Sequence, residues 1–113
     1  MSDDRLPADV WVHAQLRRWN SEGFPAVLLR RGDAHGGAII LKIVAADETC
    51  RILTQTRDSD GNPAWMQALQ GQAANPTDAE AYVGRALQRD PDLWVIEIED
   101  RRGLWSFDGK VLK

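Results

Sequence analysis

The chain has 113 residues, of which 43% are hydrophobic and 27% charged, values ordinary for one folded domain and too apolar for wholesale disorder. Fourteen Lys and Arg stand against seventeen Asp and Glu, a net charge of −3, so no global field gathers nucleic acid or an anionic membrane. Cys50 is the only cysteine, which excludes an intrachain disulfide and any cysteine cluster for zinc or iron–sulfur binding.

The opening MSDDRLPADV lacks the basic and apolar regions of a secretory signal, and the longest apolar runs are too short to span a bilayer. A soluble cytoplasmic protein with no membrane partner is expected. A single domain over 1–113 is expected too, with 1–6 and 104–113 flexible or peripheral. Five Trp in so short a chain is the one compositional oddity.

Pro7 suits a first helical position, where its missing N–H is not needed, and Asp9 follows in the first turn. Ala8, Val12, Leu16 and Trp19 then recur along one helical stripe. Trp11, about 100° from Val12, falls at the edge of that stripe. Gly23 is placed to stop the helix in a left-handed cap. His13 has no second ligand at metal spacing and reads as a surface or boundary histidine.

Phe24 to Arg31 reads as a strand with Pro25 at its start, where a lost donor matters least. The glycine-containing segment from Gly32 to Gly37 is expected to be a hairpin turn. A phosphate loop would need a helix on its far side, and none is predicted there. Ala38 to Ala45 is apolar on both alternating faces except at Lys42, the mark of a central strand. Asp47-Glu48 is a short break, and Arg51 to Arg57 alternates as a half-exposed strand.

The Asp58 to Pro63 segment superficially resembles the opening of a calcium loop. It has Pro63 where a glycine is required and Leu69 where a bidentate Glu is required, so a tight turn is the better reading. Ala64 to Leu69 is compatible with a fourth strand, favoured here, or with a short helix. Thr77 to Glu80 has the form of a capping box, with Thr77 at N-cap and Glu80 at N3. Ala79, Tyr82, Val83, Ala86 and Leu87 follow at helical spacing, and Pro91 ends the helix by Asp90. Leu93 to Glu99 is a last strand that points Trp94, Ile96 and Ile98 one way and Glu97 and Glu99 the other. These elements predict an α+β fold in the order α-β-β-β-β-α-β, a mainly antiparallel sheet of four to six strands with both helices on one face.

Arg5-Leu6-Pro7, Leu29-Arg30-Arg31-Gly32-Asp33, Thr54-Gln55-Thr56-Arg57-Asp58, Ala64-Trp65-Met66 and the run from Asp90 to Asp100 together resemble domain-of-unknown-function family 1491, short proteins of alphaproteobacteria. The resemblance spans nearly the whole chain and is weakest after Gly103. It implies a small standalone bacterial protein and carries over no activity, cofactor or catalytic residue.

The candidate site is a sheet face away from the helices carrying Lys42, Gln55, Arg57, Glu97 and Glu99, with Asp58, Asp60 and Asn62 at its rim and Trp65 beside them. Long cations, carboxylates and a large aromatic are common interface anchors. Arg also outnumbers Lys, eleven to three, as interfaces favour. The expected function is a non-catalytic protein-binding or regulatory module, with a protein partner or a second copy at an exposed edge strand. No cofactor, metal or small-molecule ligand is identifiable.

Two alternatives stand beside this reading. Glu97 and Glu99, at i and i+2, with Asp58 would suit a metal-assisted or acid–base enzyme if one pKa were raised. Against it, cross-strand pairing with Lys42 or Arg57 is ordinary sheet stabilisation. The doublets Arg17-Arg18, Arg30-Arg31 and Arg101-Arg102 would suit weak single-stranded nucleic-acid binding beside Trp19 and Trp105. The acidic balance disfavours it.

Overall fold

The computed structural model describes residues 6–112; the expectation for 1–5 lies outside them. In chain order the elements are α1 (Ala8–Ser21), β1 (Ala26–Arg30), β2 (Ile39–Ala45), β3 (Cys50–Arg57), β4 (Pro63–Gln67), a 3-10 turn (Leu69–Gly71), α2 (Pro76–Arg89), β5 (Trp94–Asp100) and β6 (Val111–Leu112). The fold is α+β, and the predicted order holds, with the 3-10 turn and β6 added. The segment after the Asp58 turn is strand as far as Gln67 and only then coils.

The six strands form one sheet in the order β1-β5-β2-β3-β4-β6. Three pairings are antiparallel, while β2–β5 and β4–β6 are parallel, so the sheet is mixed. The stretch β2-β3-β4 is an antiparallel meander. The link from β1 to β2 is not a hairpin, because β5 lies between those strands. Trp94, Val95, Ile96 and Ile98 of β5 are all buried, so β5, like β2, needs neighbours on both sides.

The link therefore crosses the start of β5. Trp94 donates its indole N–H to the Asp33 carbonyl (2.7 Å), and the Asp33 N–H donates to the Asp92 carbonyl (3.0 Å). A Cβ at Gly32 or Gly37 would collide with that same Asp92 carbonyl, which is why glycine stands at both places.

The helices lie on opposite faces of the sheet, not on one. Ala8, Trp11, Val12 and Trp19 of α1 pack with Ile39, Leu41, Ile43, Ile96 and Ile98. Ala79, Ala86, Tyr82 and Val83 of α2 pack with Ile40, Ile52 and Val95. Alternation along the strands explains the correction: β2 is apolar on both sides, and two helices sharing one face would leave Ile40, Ile52 and Val95 in water. Each such exposure would cost about 1.5–3 kcal/mol.

The ends of the helices follow from local chemistry. Gly23 has φ +90° and closes α1 in the expected left-handed conformation. The cap of α2 is Asn75 and not Thr77: its Oδ1 accepts from the Asp78 N–H at 2.8 Å. Pro76, fixed in φ and lacking an N–H, occupies the first helical position and sets the cap two residues before Thr77. His13 is exposed, its Nδ1 lies 2.7 Å from the Asp9 carbonyl oxygen, and its ring meets Trp94 edge-on.

Candidate functional site

The segment after β5 turns back over the α1 face. Asp100, buried at the end of β5, accepts through Oδ1 from the N–H groups of Leu104 (2.9 Å) and Trp105 (3.1 Å), and these bonds fold the chain through Arg101-Arg102-Gly103. Trp105 becomes buried, Phe107 packs on the same cluster, and β6 joins β4. Residues 104–112 thus form part of the core's cover.

Four of the five tryptophans close a ring of aromatic contacts with Phe107. Trp11 stacks on Trp65 (centroids 5.6 Å apart), Trp65 meets Phe107 edge-on (4.9 Å), Phe107 stacks on Trp105 (5.8 Å), and Trp105 and Trp11 each meet Trp19 edge-on (5.5 and 6.4 Å). Offset-stacked and edge-to-face pairs are the geometries aromatic quadrupoles favour. Trp65, readable from its place beside the turn either as a docking group or as cover for the core edge, is 5% exposed and is a member of this ring.

Beside the ring lies a cleft of about 940 Å³, bounded by α1 from Ala8 to Arg18, the loop entering β2, the β3–β4 turn and the segment before β6. Arg57, Asn62 and Trp65 line it, and Gln15, Gln55, Arg18, Asp108 and Lys110 belong to its polar wall. Arg57 is exposed and donates to the Gly61 carbonyl (2.8 Å). No carboxylate pairs with it among the described residues.

Asp58 anchors the turn at the cleft's rim. Its Oδ1 accepts from the N–H groups of Asp60 and Asn62 (both 2.9 Å), and its Oδ2 accepts from the Lys110 ammonium (2.6 Å). The Lys110 hydrogen bond, with help from the Asn62 N–H, holds the Asp58 carboxyl below its ordinary range, and Asp58 in turn raises Lys110. This is the tight turn expected of the sequence, held by backbone donors. Asp60 is exposed on its outside.

The remaining candidates lie elsewhere. The face imagined as free of helices does not exist, and its members divide between two sides. Gln55 and Arg57 line the cleft on the α1 side. Lys42, Glu97 and Glu99 lie on the α2 side, around a smaller hollow of about 380 Å³ with Cys50 and Arg101. There Lys42 and Glu97 are register neighbours on β2 and β5 and form an ion pair of 3.3 Å. Arg101 pairs with Glu99 at 3.7 Å. Asp58 therefore does not meet Glu97 or Glu99.

Among the described residues no group of three or more His, Cys, Asp or Glu is arranged to hold a metal ion. The Cys50 thiol is buried and pushed up chiefly by that burial, the opposite of an activated nucleophile. Members of the arginine doublets are spread over the molecule. Arg18 pairs with Asp108 (2.8 Å) and Glu22, Arg30 donates to the Pro91 carbonyl, and Arg31 sits over the Trp94 ring (5.3 Å).

Gln15, Phe107 and Lys110 were not anticipated as parts of a site, and Arg18 was considered only within an arginine doublet. The only signal for Phe107 and Lys110 was indirect: an aromatic at i and i+2 in Trp105-Ser106-Phe107, followed by a turn pair in Asp108-Gly109.

Comparison with known proteins places the fold and leaves the chemistry open. The family described as "Protein of unknown function (DUF1491)" matches residues 6–108. A crystal structure of a DUF1491 family protein from Caulobacter crescentus CB15 is similar, with 37% identity over 95% of this chain and 99% of that one and a TM-score of 0.83. An NMR structure of a DUF1491 family protein from the same organism gives 38% identity, 96% and 97% coverage and a TM-score of 0.82. A solution structure of an A. tumefaciens protein shares the fold at 24% identity, 87% and 88% coverage and a TM-score of 0.73. No functionally curated protein matches the chain. No helix among the described residues is long and apolar enough to cross a membrane.

Proposed function

We propose that this chain, which belongs to the DUF1491 family, is a non-catalytic protein-binding or regulatory module of the bacterial cytoplasm, and that a partner docks in the cleft beside the aromatic ring. One observation carries the reading: an open cleft of about 940 Å³ with Arg57, free of any carboxylate partner among the described residues, on its lining. Its walls stand on rigid supports. Trp11 and Trp65 are locked in the ring, and the β3–β4 turn is tied by three hydrogen bonds to Asp58. A preformed surface on a stiff scaffold loses little entropy on association.

The rival readings have less behind them. An acid–base or metal-assisted enzyme needs Asp58, Glu97 and Glu99 in one place, and the sheet separates Asp58 from the other two. A single-stranded nucleic-acid platform needs open aromatic faces, whereas Trp11 and Trp65 stack on each other and are buried.

Pairing of two copies through the β1 edge meets an obstacle in Asn20. Its side-chain amide donates to the Ala26 carbonyl (2.9 Å) and accepts from the Ala26 N–H (3.1 Å). The side chain thus occupies two of the groups a neighbouring strand would use.

The test is affinity capture from the native cell with three baits: the wild type, Arg57→Glu, and Arg85→Glu on the exposed outside of α2. Both variants should melt as the wild type does. A partner retained by Arg85→Glu and lost by Arg57→Glu supports docking at the cleft; equal capture by both variants contradicts it.

A further inference from the structure

Between the segment that turns back over the α1 face and the start of β3 lies a second cavity, of about 240 Å³. We infer that it binds a small monocarboxylate with about ten non-hydrogen atoms, its apolar body inside the cavity and its carboxylate on Arg51. Only Phe107 lines both this cavity and the cleft, and occupancy of one does not require occupancy of the other.

The walls set the body of the ligand. Ile43 and Leu53 of the α1-side core, with Trp105, Phe107 and Val111 from the returning segment, give the cavity aliphatic and aromatic surface. An apolar cavity of about 150 Å³ admits benzene. In proportion, one of about 240 Å³ takes a body and head of about ten non-hydrogen atoms. Mostly apolar walls with a few polar groups that fix orientation are the ordinary make-up of a small-molecule site.

The polar groups set the head. Arg51, exposed, is the only charged residue on the lining, and the Gln67 amide and Ser106 hydroxyl accompany it. Lys110 is held by Asp58, and Arg18 by Asp108 and Glu22, whereas Arg51 has no carboxylate partner among the described residues. Its planar fork of N–H donors matches a carboxylate in bidentate geometry. A cationic ligand would meet a like charge there, and inorganic phosphate would leave the apolar walls unfilled.

The far wall stands on strained backbone. Leu69, Gln70 and Gly71 lie consecutively in the left-handed region, with φ of 56°, 57° and 77°, a conformation that residues other than glycine rarely adopt. This turn carries Ala68 and Gly71 to the cavity. Backbone of this kind persists where the surrounding structure fixes it, and it gathers at ligand sites.

The experiment is an NMR titration of the isotopically labelled full chain with phenylacetate and with octanoate, two acids of the inferred size. The neutral amide of each acid, acetate and inorganic phosphate are run in parallel. At least one of the two acids should shift the methyl resonances of Ile43, Leu53 and Val111, the Trp105 indole N–H and the Arg51 Nε–H. Its amide should bind about tenfold more weakly, and so should the acid itself on Arg51→Ala, the loss of one charge-assisted contact. Arg85→Ala, on the exposed outside of α2, should bind it as the wild type does. Arg51 is exposed, and unchanged resonances away from the cavity show that its variant is folded.

If neither acid shifts these resonances at millimolar concentration, the inference is overturned. It is overturned equally by an amide that binds as well as its acid, by acetate or phosphate binding as tightly, by binding untouched in Arg51→Ala, or by shifts centred on Gln55 and Gly36 in the cleft. Arg57→Glu decides docking at the cleft and Arg51→Ala decides the ligand, so either reading can fail alone.

Discussion

Asp58 shows how one side chain serves both the turn and the site. Its folded-state pKa lies below the ordinary value because Lys110 and the Asn62 N–H stabilise the carboxylate. A group whose pKa is depressed on folding adds stability that is fully present above the unfolded pKa, about 3.9 for Asp, and lost as pH falls through the folded value. Asp58→Asn should therefore melt at a lower temperature than the wild type at neutral pH, with the gap narrowing as pH drops through the carboxylate range. Thermal unfolding across that range checks it, and a gap independent of pH would show that Asp58 acts through shape alone. The turn was legible in the sequence because Asp, Gly, Asn and Pro each favour turns for local reasons. The partner of Asp58 was not, since Lys110 is reached only when the chain folds back from fifty-two residues away. The side Trp65 takes was not legible for a related reason: nearness to a turn in sequence says nothing about which face a strand residue takes, and Ala64 and Trp65 are both buried.

At the level of elements, periodicity gave good account of what each segment is and a poorer one of how segments meet. The doubly apolar run of β2 and the alternation of β5 were legible, and the first already required cover on both faces. Placing both helices on one side took the single stripe of each helix as the constraint and overlooked Ile40, Ile52 and Val95. The insertion of β5 between β1 and β2 was invisible to local patterns because it depends on a parallel pairing across the whole α2 crossover. Asn20 likewise has no local signature: its amide covers the start of the β1 edge from the last turn of α1. Asn20→Ala should lower stability by about 1 kcal/mol, the net value of ordinary hydrogen bonds at a partly exposed site. It should also raise self-association, because Ala26 then offers its N–H and C=O to another strand. Denaturant unfolding and sedimentation together check this; a variant as stable and as monodisperse as the wild type would remove Asn20 from the account of the edge.

For the whole molecule, the ring of Trp11, Trp65, Phe107, Trp105 and Trp19 explains the unusual tryptophan content and ties the last segment of chain to the first helix. Trp105→Ala should cost about 3–5 kcal/mol, as large aromatic truncations in cores do, and release the segment carrying Asp108 and Lys110 from the cleft wall. Chemical unfolding checks the magnitude, and a cost under about 1 kcal/mol, the size of a surface substitution, would deny the ring its role. The cleft itself was only half legible. Arg57, Asp58, Asn62 and Trp65 come from one stretch of chain and lie together, whereas Arg18 and Asp108 meet across ninety residues that no local pattern spans. Glu97 and Glu99 were grouped with them because i and i+2 on a strand share a face, and the face they share is the other one. Docking at the cleft is tested most directly by a photo-reactive amino acid placed at Gln55, within the cleft, and separately at Arg85, on the outside of α2, each irradiated in the native cell. Docking at the cleft predicts a partner crosslinked from position 55 and not from position 85; a partner crosslinked from position 85 alone would contradict it.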